Sequence, residues 1–89
     1  MFRASKGGNI MYNGWKNKAT WNVALWINND EWLYQRAYEY ANSHDKNLYL
    51  GFLRENHLTY ERTPDRFKYF SQSLDIPALN EMLLEMKNN

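Results

Sequence analysis

The sequence predicts an all-α fold, a compact single-domain bundle of four to five short helices around a buried, tryptophan-rich first helix. Residues 18–28, KATWNVALWIN, are apolar almost all round. At about 100° per residue Trp21, Ala24 and Leu25 fall on one side and Val23, Trp26 and Ile27 on the other, the mark of a buried helix. Further along, apolar residues recur at helical spacing behind residues able to cap a helix. A chain of 89 residues has room for one core, so the remaining segments are expected to wrap the first helix.

Residues 1–10, with Gly7-Gly8 and few groups to bury, read as a flexible N-terminal extension, and residues 11–89 as one helical domain with Met11 a candidate natural start. Tyr12-Asn13-Gly14-Trp15 is a turn signal, because Asn-Gly readily supplies positive φ. Asn17 stands where an N-cap belongs, its side chain placed to accept from the amide of Ala19 or Thr20. Asn29 or Asp30 then caps a second helix of about 30–43, whose inner arc holds Leu33, Tyr34, Ala37, Tyr38, Tyr40 and Ala41. Asp45 is the expected cap of a third helix over about 46–57, with Leu48, Tyr49, Phe52 and Leu53 facing inward. After a connection at 58–63, Thr63-Pro64 reads as an N-cap followed by proline at the first helical position. A short helix to about Ser71 would then present Phe67 and Phe70. The last helix starts at Asp75, with Leu74 and Leu79 spaced as a staple across the cap, and Leu79, Met82, Leu83 and Met86 on its packed face.

Composition narrows the function classes. The absence of cysteine removes disulfides, thiolate metal sites and thiol nucleophiles. No apolar run approaches the roughly 20 residues of a membrane span, and no apolar stretch follows Arg3 and Lys6 as in a secretory signal, so a cytoplasmic setting is expected. The net charge of +1 divides into +4 over residues 1–20 and −3 over residues 21–89. Such near-neutrality argues against a broad basic face for nucleic acid and against an acidic mimic of it.

Catalytic signals are sparse, and the chain is read as a non-enzyme with no cofactor and no metal. His44 and His57 are separated by a whole helix, and neither has a second ligand at metal spacing. The serines stand in no nucleophile-elbow context. Arg54, Arg62, Arg66 and Lys68 cluster near Tyr60 and Tyr69, a combination that suggests phosphate contacts and base stacking. Glu55, Glu61 and Asp65 are interleaved with them almost one for one, which favours a solvated mixed-charge face. The aromatic surplus is a stronger signal: four Trp, seven Tyr and four Phe exceed what so small a core can hide, and exposed Trp, Tyr and Arg anchor protein interfaces. Trp32 lies on the polar side of the second helix beside Arg36. Either the 58–63 connection covers it, or Trp32 and Arg36 form a partner-binding or self-association site.

Residues 12–30, YNGWKNKATWNVALWINND, resemble a family of small proteins of unassigned function found in phages, plasmids and some bacteria, including cyanobacteria. The shared pattern is Tyr-Asn-Gly-Trp-x-Asn-x-Glu-Thr-Trp, then Val-x-Leu-Trp and a closing Asn-Asp. Tyr12, Asn13, Gly14, Trp15, Asn17, Thr20, Trp21, Val23, Leu25, Trp26, Asn29 and Asp30 match it. Residues 74–84 are similar to the family's final helix. Ala19 departs from the usual glutamate, and Trp32 from a small or polar residue. The resemblance implies a phage or mobile-element accessory protein. Small proteins in such genomes often bind and block a host protein, so a host partner, and inhibition of a defence system of the anti-CRISPR or anti-restriction type, is the leading expectation. The alternative is a nucleic-acid-associated factor using Arg54, Arg62, Arg66 and Lys68. A homodimer is compatible with either, and a small-molecule site lined by aromatics has no motif in its favour.

Overall fold

The computed structural model describes residues 12–87; the expected extension at 1–10 lies outside them. The fold is all-α, and the described residues form four helices: α1 (Lys18–Asn29), α2 (Glu31–Ser43), α3 (Leu48–Glu55) and α4 (Ile76–Leu84). Both α2 and α4 pack against every other helix, whereas α1 and α3 make no close backbone approach to each other.

The chain enters α1 through the Asn-Gly turn. Asn13 and Gly14 both hold positive φ, 51° and 88°, as a type I′ turn requires. Tyr12 and Trp15 exchange two backbone hydrogen bonds of 2.7 and 2.8 Å across it. This sends Trp15 into the core, 4% exposed, and lays the Tyr12 ring edge-on against Trp21 at 4.8 Å. Asn17 then caps α1: its Oδ1 accepts from the Thr20 amide and from the Thr20 hydroxyl, and its Nδ2 donates to Ser73 O at 2.7 Å. The Thr20 oxygen in turn accepts from the amide of Asp75, the N-cap of α4. The N-termini of α1 and α4 are therefore fastened through one amide side chain and one hydroxyl, which lets Thr20 be fully buried.

Burial of α1 differs from the expectation. Thr20, Val23, Ala24 and Ile27 form its buried stripe at i, i+3, i+4, i+7, with Asn22 buried beside them, while Trp21 and Trp26 are half-buried. α3 is the more deeply buried helix, with five of its eight residues inside against five of twelve in α1. The indoles explain the difference. Each carries an N–H that needs a partner, and a ring whose size suits a boundary as well as a centre. Tyr12 covers the one, and the other points its Nε1 at Asp65, 2.9 Å away.

Asp30 caps α2 through the Leu33 amide, and Asp75 caps α4 through the Ala78 amide with Leu74 and Leu79 both buried across the cap. α3 starts differently from the expectation. Asp45 pairs with Lys87 at 3.2 Å instead of capping. Asn47, in the cap position, is left-handed with no side-chain bond. The Tyr49 amide is met from across the bundle by Asn80 Oδ1 at 2.8 Å. α3 ends in a Schellman motif with His57 at φ 60°: Leu58 N–H donates to Leu53 O and His57 N–H to Arg54 O. Against the other flank of α3, Tyr40 of α2 lies directly over Gly51, and Tyr49 donates its phenol proton to Tyr69 O. Burial pushes the Tyr49 phenol far up, with the nearby Tyr69 adding to it, so it stays a neutral donor.

The short helix expected after Thr63 does not form. Residues 61–69 instead make a hairpin turn closed by an isolated antiparallel bridge, Arg62 to Lys68. Pro64, Asp65 and Arg66 are its three-residue loop, with Arg66 at φ 76° in the left-handed position that such loops need. Side chains outcompete the helix here. Thr63 Oγ1 donates to Asn22 Oδ1 at 2.7 Å and accepts from the Phe67 amide. Asn22 Nδ2 and Trp26 Nε1 both donate to Asp65 Oδ2. The proline and threonine that read locally as a helix start are thus a clamp onto α1.

Candidate functional site

Two surface features emerge, one of them on α2. Trp32 is 55% exposed, so the 58–63 connection does not cover it. The ring is braced on its own helix: the Arg36 guanidinium lies 6.0 Å from its centroid, and Arg36 Nη2 is held by Glu39 Oε1 at 2.6 Å. Glu39 also accepts from Gln35 Nε2 through its other oxygen. An exposed pair of this kind adds about 0–1 kcal/mol to stability, and the stacked cation a further ~0.5–1 kcal/mol. The arrangement therefore adds little to folding and leaves a large amphipathic ring at the surface.

The second feature is the outer side of the 61–69 hairpin. Side chains alternate across the bridge. Thr63 and Tyr69 turn inward and are buried at 3% and 4% exposure, while Arg62 and Lys68 stand outside. Tyr60 is 93% exposed and Phe70 is 44% exposed. Tyr60, Arg62, Lys68 and Phe70 line an open groove of about 580 Å³. Tyr60 and Phe70 also border a smaller hollow of about 350 Å³, which reaches Leu50, Leu53 and Arg54 on α3.

Of the four cations singled out in the sequence, the structure therefore brings Arg54, Arg62 and Lys68 to one surface. Arg66 sits at the loop tip, where its carbonyl accepts from Arg62 Nη1 at 3.0 Å. The acids interleaved with them in sequence line neither hollow. Asp65 in particular is turned onto α1, where the hydrogen bonds from Asn22 and Trp26, aided by Lys18, hold its carboxyl below the usual value. Sequence reading paired Tyr69 with the cations, but Tyr69 is core, and Phe70 takes the place beside Tyr60.

Both histidines have structural surroundings. His44 stacks on Tyr40 at 3.8 Å with its Nδ1 against Tyr40 O, and His57 supplies the left-handed turn after α3. Among the described residues no group of three or more His, Asp or Glu is placed to hold a metal ion, and no helix is long and apolar enough to cross a membrane.

What fold and surface define is a small all-α domain, stitched by side-chain caps, that carries exposed aromatic–arginine groups. The chain belongs to DUF7249, a family of unknown function whose model matches residues 9–89. No curated protein and no solved structure matches it.

Proposed function

We propose that the protein is a small, non-enzymatic accessory protein of a phage or related mobile element, acting in the host cytoplasm by binding a host protein. Trp32 and Arg36 form the contact, and a defence component of the restriction or CRISPR type is the partner class. One observation carries the reading: an indole 55% exposed on a capped helix and braced by an arginine, the residue pair most enriched among interface anchors. Leaving such a ring in water serves no packing purpose.

The test is capture from host lysate with wild type and Trp32→Ala, alongside thermal unfolding and sedimentation of both. Because the ring is exposed, the variant should lose no more than about 1 kcal/mol of stability with the Arg36 stack yet bind its partner at least about 2 kcal/mol more weakly. Retention at raised salt is expected, since an aromatic contact is less screened than an ionic one. A variant that captures the same protein with undiminished affinity removes Trp32 from the interface. A wild type that sediments as a dimer, and a variant that sediments as a monomer, would reassign the patch to self-association.

A further inference from the structure

We infer that the outer face of the 61–69 hairpin, with Arg54 beside it, is a binding surface for single-stranded nucleic acid, separate from the Trp32–Arg36 patch. Tyr60 and Phe70 are the stacking platforms, and Arg62, Lys68 and Arg54 the phosphate contacts.

Three observations converge on it. The first is the pair of rings. Tyr60 and Phe70 border both hollows and stand 93% and 44% exposed, the placement in which a ring can take an unstacked base on its face. The second is an unfavourable contact built into the backbone. Arg62 and Lys68 are opposed across an antiparallel bridge, where like charges repel. Arg62 Nη1 is engaged by the Arg66 carbonyl, a neutral acceptor, so the charge of the pair is not balanced there and an anion between the two would relieve it. The third is segregation: no carboxylate lines either hollow, although Glu55, Glu61 and Asp65 are neighbours in sequence. A pair of rings beside a pair of cations, with no carboxylate lining the hollows, complements a polyanion that carries flat, exposed bases. A duplex hides its base faces, so the single strand is the matching form. Nothing on this face reads base edges at fixed geometry, so binding is expected to tolerate sequence.

The experiment is fluorescence anisotropy of the full chain with a short labelled oligothymidine. Oligouridine, a mixed-sequence duplex, polyglutamate and anionic phospholipid vesicles are run in parallel. The expected result is binding of the two single strands in preference to the duplex. With three phosphate contacts, affinity should fall roughly twentyfold from about 50 to about 200 mM salt. Tyr60→Ala should weaken binding about tenfold, while Tyr60→Phe, which keeps the ring, should not. Lys68→Glu should weaken it at least as much, and Trp32→Ala should leave it unchanged. Both hairpin side chains are exposed, and matched unfolding curves confirm that the variants fold. The inference is overturned by no binding at low salt, by duplex bound as well as single strand with no effect of Tyr60→Ala, or by preference for polyglutamate or vesicles. Loss of this binding leaves the Trp32 reading intact, and loss of the Trp32 partner leaves this one intact, so the two fail separately.

Discussion

At Gly51 the packing of α2 on α3 leaves no room for a side chain. A Cβ built there would come within 2.5 Å of Tyr40 Cζ and 2.9 Å of Cε2, and would overlap the hydroxyl oxygen. Two opposite effects therefore meet in Gly51→Ala. Replacing glycine inside a helix gains about 0.8–1 kcal/mol of backbone propensity. Against that, the methyl displaces a half-buried ring. Overpacking of this sort costs about 1–3 kcal/mol, and moving Tyr40 also breaks its stack on His44, worth up to about 1 kcal/mol. The steric cost is the larger, and a net loss of about 1 kcal/mol or more is expected, a fall in melting temperature of about 4–8 °C for a domain of this size.

The sign, more than the size, tests the reasoning. In a Tyr40→Ala background the obstructing ring is gone, the methyl occupies space the ring left, and Gly51→Ala should become stabilising by about 1 kcal/mol. Urea unfolding of the four proteins, followed by circular dichroism, gives the coupling directly, and it should be about 2 kcal/mol. If Gly51→Ala shifts stability equally in both backgrounds, Tyr40 is not what requires the glycine.

Two further outcomes follow from the clamp and the turn. Asp65 has a carboxyl pKa lowered in the fold, by hydrogen bonds from Asn22 and Trp26 first and by Lys18 after them, so its contribution is complete above the ordinary value of 3.8 and is lost as pH falls below that through the folded value. Acid titration followed by tryptophan fluorescence should show wild type losing more stability below that value than Asp65→Asn does, and identical acid limbs would remove Asp65 from the clamp. At Gly14, φ 88° makes Gly14→Val more damaging than Gly14→Asn, because a β-branched side chain tolerates positive φ worst; equal melting temperatures for the pair would contradict the turn.

Features fixed by near neighbours were readable from sequence. Asn17, Asp30 and Asp75 cap where their spacing places them, and Asn13-Gly14 turns as the dipeptide prefers. Features fixed across the bundle were not. Thr63-Pro64 opens a helix as readily as a hairpin loop, and the decision comes from Asn22 and Trp26, about forty residues away in sequence. The α3 amide is met by Asn80, an acceptor no local pattern could nominate. Burial within α1 is hidden from the local pattern for a related reason: large rings such as Trp21 and Trp26 rank as core ahead of Thr20 and Asn22. Yet the threonine and the asparagine go inside because partners from distant segments satisfy them, while the indoles stay at the boundary. The surface follows the same logic. Interleaved acids and bases at 54–68 look balanced along the chain, yet the fold turns Asp65 onto α1 and leaves Arg54, Arg62 and Lys68 at hollows that no carboxylate lines.

The residues of the Tyr-Asn-Gly-Trp motif have a consistent fate in the fold. Asn13 and Gly14 make the turn, Trp15 enters the core, Asn17 and Thr20 join two helix starts, Trp26 holds the hairpin through Asp65, and Asp30 caps α2. Every one of these roles is architectural. Tyr12 keeps its ring 38% exposed, but the more exposed Trp32, Tyr60 and Phe70 lie outside the motif. Most of the 12–30 stretch is thus spent on folding, and a scaffold does not by itself dictate a partner. A partner of this chain is best sought at the α2 solvent face and the outer hairpin face, where side chains are exposed and substitutions cost the fold little.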